Sequence, residues 1–264
     1  KYLHPGFGDD WLKLTGAGEI VSYGFMDLEG VNPFTVTQEG SELLEELLVE
    51  LIEAGWSVHL HAVLRETITA MLDAIERAVK KAPADNVRIS LAHAEPITNA
   101  DLDRVKNLGM GIAIQDRMVF RAKDSADFWG EEILRRSPPL REMLNRGIPV
   151  GGGTDATAVS PYDPWRSLWW LVTGKTLDPG PERDADQNLT REEALAAYTS
   201  GSAWFSHDEA IRGTLQPGML ADLAILSADY FEVNEEEIPN ITAEATMVDG
   251  KFVYVSDSFS TTLT

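Results

Sequence analysis

The chain reads as an α/β protein built on a parallel sheet of the (β/α)8-barrel type, and two observations carry that reading. Short apolar runs alternate with helical periodicity from Glu19 to Gly174, as βα repeats do. Three polar residues, His61, His93 and Asp155, each close one of the strand-like runs just ahead of a helix-like segment. Polar groups at the carboxyl ends of successive parallel strands converge on one rim of such a barrel, where its active sites lie.

Five strands are expected in order. The first covers Glu19 to Tyr23 and leads through a long connection to a helix from about Glu42 to Ala54, with Leu43, Leu44, Leu47, Leu48 and Leu51 on one face. The second ends at His61, and Ile68, Met71, Leu72, Ile75 and Val79 stripe the helix after it, which stops near Pro83. The third ends at His93. Thr98 and Asp101 pair as a capping box ahead of the next helix, which Gly109 terminates. Gly111 to Gln115 is the fourth strand, and a helix from Pro138-Pro139 to Gly147 leads into the fifth, which runs to Asp155. Asp163-Pro164 caps a helix over Trp165 to Val172, and Thr190 with Glu193 caps another that runs to Gly201. Beyond it the pattern changes to a strand at Leu223 to Leu226 and a hairpin turning on Asp249-Gly250. Five strands are too few to close an eight-stranded barrel, so the barrel is incomplete.

Composition narrows the function. The 43 acidic and 22 basic side chains give a net charge of −21, a field that repels phosphate backbones and anionic lipid, so nucleic acid and membrane are not expected partners. The simplest reading of that charge is a solvated acidic surface. Without cysteine there is no thiolate nucleophile, disulfide or zinc–thiolate site, and any metal must take N and O ligands. No apolar run approaches the roughly 20 residues of a membrane span, and a soluble protein, cytoplasmic by preference, is expected. The first residue is Lys1 rather than Met, which suggests a processed or truncated piece.

His59 and His61, two apart on a strand, face the same side. His59 is taken as an interior histidine satisfied by a neighbour; His61, nearer the rim, as a metal ligand. Asp155 alone would read as an N-cap, but it arrives in a Gly-Gly-Gly-Thr-Asp context where backbone and ligand can approach closely. The ordered set of three says more than any member, and it suits a divalent metal with Asp155 as proton acceptor. Gln115 and Arg117, where the fourth strand ends, are candidate substrate contacts. Arg117 either clamps a substrate carboxylate or oxyanion, or pairs structurally with Asp116. Trp165, Trp169 and Trp170 share one helix and read as packing.

These stretches resemble the carboxyl-terminal portion of the amidohydrolase superfamily, in the branch of D-aminoacylases, N-substituted formamide deformylases and YtcJ-like proteins. The matching segments are Gly16 to Glu19, Val58 to Ala62, Leu91 to Glu95, Ile114 to Arg117, Gly153 to Ala156, Thr190 to Leu195 and Gly213 to Leu223. The resemblance implies that the chain carries about strands 4 to 8 of a TIM barrel over residues 1–210. Residues 211–264 would then complete a β-sandwich composed from both chain ends. It places Glu19, His61, His93 and Asp155 at the ends of strands four, five, six and eight as metal ligands, with Glu19 as the bridge where many relatives use a carboxylated lysine. Lys13 lies before the strand, and the family's His-x-His on strand one has no counterpart here.

The implied function is hydrolysis of a C–N bond in a small amide, formamide or cyclic amide, with one or two divalent ions, most simply zinc, and Asp155 as general acid–base. An amino-terminal half carrying strands 1 to 3 would be needed, and a homo-oligomer is compatible with the pattern. The alternatives are a non-catalytic fragment or binding module, and another metal-assisted barrel enzyme such as a lyase.

Overall fold

A computed structural model describes residues 3–9, 11–28, 34–157 and 159–260; Lys1 and residues 261–264 of the carboxyl-terminal segment lie outside them. Five parallel strands, β1 (Gly16–Glu19), β2 (Ser57–Ala62), β3 (Ile89–His93), β4 (Gly111–Gln115) and β5 (Val150–Gly153), pair in chain order. The register sets His59 opposite Gly18 and Ser90, and His61 opposite Ala92. One face of this sheet is apolar, with Val58, Leu60, Leu91, Ile112 and Ile114 each at most 1% exposed.

The helices α1 (Gln38–Glu53), α2 (Arg65–Lys81) and α3 (Asn99–Asn107) follow β1, β2 and β3 in turn. In α2 the stripe Ile68, Met71, Leu72 and Ile75 is buried at i, i+3, i+4, i+7, the spacing of one helical face. In α1 the buried line is Leu44, Leu48 and Ile52, while Leu43 is exposed. Thr98 accepts the Asp101 amide at 3.1 Å, and Gly109 follows the end of α3 with φ 65°, a left-handed position that favours glycine. Thr190 and Glu193 form the expected capping box of the helix that starts at Arg191.

Three expectations need correction. β1 is Gly16–Glu19 rather than Glu19 to Tyr23, and Tyr23–Phe25 is already a 3-10 turn. Glycines at 16 and 18 hid the strand from an apolar-run search. Between β4 and β5 the chain forms α4 (Met118–Trp129) and α5 (Glu131–Arg135), which had no prominent periodic stripe, before α6 (Leu140–Asn145). The helix expected to run to Gly201 stops being α-helical earlier: α8 (Arg191–Ala196) passes into a π-turn at Ala197–Gly201 before α9 (Ser202–Phe205).

α7 (Pro164–Thr173) starts from the Asp163 cap and buries Leu168, Trp169 and Trp170. Tyr230, Ile238 and Ile241 join the same hydrophobic core. An antiparallel sheet of β6 (Leu223–Leu226), β7 (Ala243–Val248) and β8 (Lys251–Val255) follows. Its hairpin turns on Asp249 and Gly250, both at positive φ, as a two-residue type I′ turn requires. No helix among the described residues is long and apolar enough to cross a membrane.

The other face of the parallel sheet lines a cavity of about 480 Å³, bounded by His59, Ser90 and Gln115 and by Trp204 and Phe205. The α9 rings approach so closely that a Cβ on Gly111 would stand 2.5 Å from Trp204, and one on Gly151 2.6 Å from Phe205. Glycine is the residue that lets these strands accept the aromatic plug.

Ile75 is fully buried, whereas Glu50 on α1 is exposed. Ile75→Ala is expected to lower unfolding free energy by about 2–5 kcal/mol. Glu50→Ala is expected to change it by less than about 0.5 kcal/mol. Urea titration followed by circular dichroism checks both, and a neutral Ile75→Ala would refute the assigned packing.

Candidate metal centre

Glu19 and His93 end β1 and β3, His61 is the last residue but one of β2 between them, and their side chains meet at the carboxyl edge of the sheet. One ligand atom from each lies within 4.8 Å of the other two. Glu19 Oε1 faces Nδ1 of His61 and stands 3.2 Å from Nε2 of His93. The two imidazoles are 4.6 Å apart at their centroids and nearly perpendicular, at 79°. Both histidines are buried and Glu19 is half-buried.

His61 is bonded on both sides. Its Nε2–H donates to the Asp27 carbonyl at 2.7 Å, and Asp27 Oδ1 lies 3.2 Å from the same nitrogen. Burial alone would push the His61 pKa down, but hydrogen bonds to Asp27 and Glu19 outweigh it and hold the group up at about 10. Both ring nitrogens of His61 thus face a partner, Glu19 at Nδ1 and Asp27 at Nε2. The same contacts, His61 first and then His93, hold the Glu19 carboxyl far below the usual carboxylate range.

His93 presents Nε2 to Glu19, while its buried Nδ1 has no hydrogen-bond partner and lies 3.8 Å from Glu95 Oε1. Glu95 is completely buried and accepts Nε and Nη2 of Arg117 at 2.7 and 3.0 Å. Burial raises the Glu95 pKa, but Arg117 and then His93 overcome it and hold it low. Arg117, a candidate substrate contact by sequence, thus braces the connection after β3. Asp116 accepts the Ser160 hydroxyl at 2.7 Å and that of Ser167, with its pKa raised by burial against those bonds.

Gln115 ends β4, and its buried Oε1 is without a partner. Asp155 follows β5 by two residues on the same edge, outside the three-residue group. His93, Ala94 and Asp155 have φ of 69°, 54° and 54°, a region L-residues seldom occupy and one that clusters at functional sites. His59 donates to or accepts from Ser90 Oγ at 2.8 Å, the satisfied interior histidine its position suggested. Asp27 and Glu95 were missed: both stand in connections, where periodicity gives no signal. For Glu95 the one available clue was an acidic residue two places after His93.

Two imidazole nitrogens and a carboxylate are a donor set suited to a zinc-like cation. The carbonyl behind His61 is the outer partner that a ligating histidine ordinarily has. The donors also lie outside the large cavity, beside a much smaller one next to Glu19 and His61; a cation is gripped by ligand atoms, so the cluster locates the site better than the volume does.

The amidohydrolase family pattern Amidohydro_3 matches residues 2–254. The putative amidohydrolase YtcJ of Bacillus subtilis is 27% identical over 221 residues, covering 81% of this chain and 40% of its own length. The N-substituted formamide deformylase of Arthrobacter pascens is 26% identical over 214 residues, covering 80% and 39%. The crystal structure of an uncharacterized metal-dependent hydrolase from Pyrococcus horikoshii superposes with a TM-score of 0.63 at 26% identity, covering 78% of this chain and 41% of that one. The chain thus spans about two fifths of the length of these relatives, and its parallel sheet is of the TIM-barrel type. Its sequence from residue 2 to residue 254 makes it a member of the amidohydrolase family.

Proposed function

We propose that the chain is the carboxyl-terminal portion of a metal-dependent amidohydrolase that hydrolyses a C–N bond of a small amide, formamide or cyclic amide. The observation that carries this reading is the meeting of Glu19, His61 and His93 within 4.8 Å at the carboxyl edge of the parallel sheet. The formamide deformylase at 26% identity favours an amide-type substrate. In this reading β1 to β5 are barrel strands 4 to 8 over residues 1–210, residues 211–264 belong to a composite β-sandwich, and an amino-terminal half supplies the other strands.

Glu19, His61 and His93 would hold the ion, with Asp155 as a further ligand. Such an ion, zinc in the simplest case, supplies Lewis acidity and eases deprotonation of water near neutral pH. Asp155 takes the proton of the attacking water and returns it to the leaving nitrogen, the general acid–base task of a carboxylate at the strand edge. Gln115, whose oxygen is unpartnered, offers a polar contact to substrate from β4. Arg117, bonded to Glu95, acts on the substrate's surroundings by fixing the β3 and β4 exits against each other.

Zinc affinity is the direct test. His61→Ala and His93→Ala are each expected to weaken zinc binding by more than about 100-fold, since loss of an outer partner alone costs 10–100-fold. Competition with a chelating dye measures it. A folded, monomeric chain that binds no zinc would reject the reading in favour of a non-catalytic module, whereas copurification with an amino-terminal polypeptide and bound metal would support it.

Asp155→Asn is expected to lower turnover by about 10²–10⁴-fold on whichever N-formyl or N-acyl amine is hydrolysed. Product formation followed across a panel that includes lactones separates the hydrolase, which adds water and gives acid and amine, from a lyase, which leaves an unsaturated product. Undiminished turnover in Asp155→Asn, or full activity after chelation, would overturn the mechanism.

A further inference from the structure

Asp27 is 0% exposed and stands in the connection between β1 and α1, two residues beyond the 3-10 turn. Its carboxylate accepts the Val63 amide at 3.1 Å and the Leu64 amide at 2.7 Å. Leu64 is the N-cap residue of α2, and its own side chain makes no capping bond. The carboxylate therefore caps α2 from a distant part of the chain and fastens the exit of β2. That fastening places the Asp27 carbonyl 2.7 Å from His61 Nε2.

The consequence falls on the ring of His61. With Nε2–H given to the carbonyl, Nδ1 is the atom turned towards Glu19. A half-turn of the imidazole would set carbon atoms against both the Glu19 carboxylate and the Asp27 carbonyl and lose both bonds. Outer partners of this kind fix the tautomer and direction of a ligating histidine.

From this geometry we infer that Asp27 is a positioning residue for His61: by anchoring its own main chain to the β2–α2 junction, it makes Nδ1 the ligand atom and keeps the proton on Nε2. The inference rests on the cation site proposed above. It assigns Asp27 no contact with substrate or ion.

The test compares the wild-type protein with Asp27→Ala and Asp27→Asn, using zinc alone as probe and ¹⁵N-labelled histidine for ring spectra, the His61 signals being assigned by comparison with His61→Gln. Asp27→Ala is expected to bind zinc about 10–100-fold more weakly, with its His61 Nε2–H opened to exchange. Asp27→Asn keeps an oxygen for the two amides and is expected to recover part of that loss. Zinc-loaded wild type is expected to carry the ion on Nδ1 of His61, with Nε2–H protected; if Asp27→Ala does not fold, Asp27→Asn is expected to bind zinc more weakly and to exchange Nε2–H faster than wild type, and wild-type values in both would overturn the inference. Zinc on Nε2, or undiminished affinity in folded Asp27→Ala, would overturn the inference. If wild type binds no zinc, the cation site fails instead, and a protected Nε2–H in the zinc-free spectrum, lost in Asp27→Ala or weakened in Asp27→Asn, still upholds the positioning role.

Discussion

A single carboxylate oxygen, Glu19 Oε1, receives a nitrogen from each of two buried imidazoles, and the carboxyl edge of the sheet is organised around that meeting. Burying a carboxylate and two imidazoles without mutual satisfaction would be costly. Here His61 answers both needs at once, facing Glu19 through Nδ1 and the Asp27 carbonyl through Nε2. In the proposed function the same donor atoms would hold a divalent cation.

The scaffold supplies this niche from several directions. Parallel pairing brings the ends of β1, β2 and β3 together, while the positive φ of His93 and Ala94 turns the chain out of the sheet just where the imidazole is needed. Behind each histidine stands a fully buried acidic residue, Asp27 for His61 and Glu95 for His93. The two are compensated differently. Asp27 is held by backbone amides at the start of α2, whereas Glu95 is held by Arg117 from the end of β4. Removing either compensating group would leave a buried charge, a far larger penalty than losing a surface pair.

The strands ending in His61 and His93 were legible because apolar runs and their helices bracket them, and α2, the capping box of α8 and the Asp249-Gly250 turn were legible for similarly local reasons. β1 was displaced by several residues because its sheet positions at Gly16 and Gly18 carry no side chain to register an alternation. The partner of Arg117 was invisible: Glu95 is 22 residues away in sequence and is reached only because β3 and β4 are neighbours. Asp27 lies 34 residues from His61, in a segment with neither strand nor helix pattern. Local periodicity identifies the elements, but the polar groups that orient a ligand are selected by which elements adjoin.

The remaining constraint is the sheet's second face. Glycines at 16, 18, 151 and 153 leave the inner side of the first and last strands bare, and the cavity they border also contains His59 and Gln115. In a closed barrel such a face is filled by layers of side chains contributed by alternating strands. α9 fills only part of it, through Trp204 and Phe205. On the flank of β1, whose Gly16 and Gly18 border the cavity, Leu12, Leu14, Ile20 and Tyr23 are exposed. Burial of that flank would add hydrophobic stabilisation at about 25 cal/mol per Å² and would dry the surroundings of the Glu19 cluster, strengthening every charge interaction there. In the proposed enzyme an amino-terminal half would have two connected physical tasks, completing the core and lowering the dielectric around the Glu19 cluster, and the second would follow from the first.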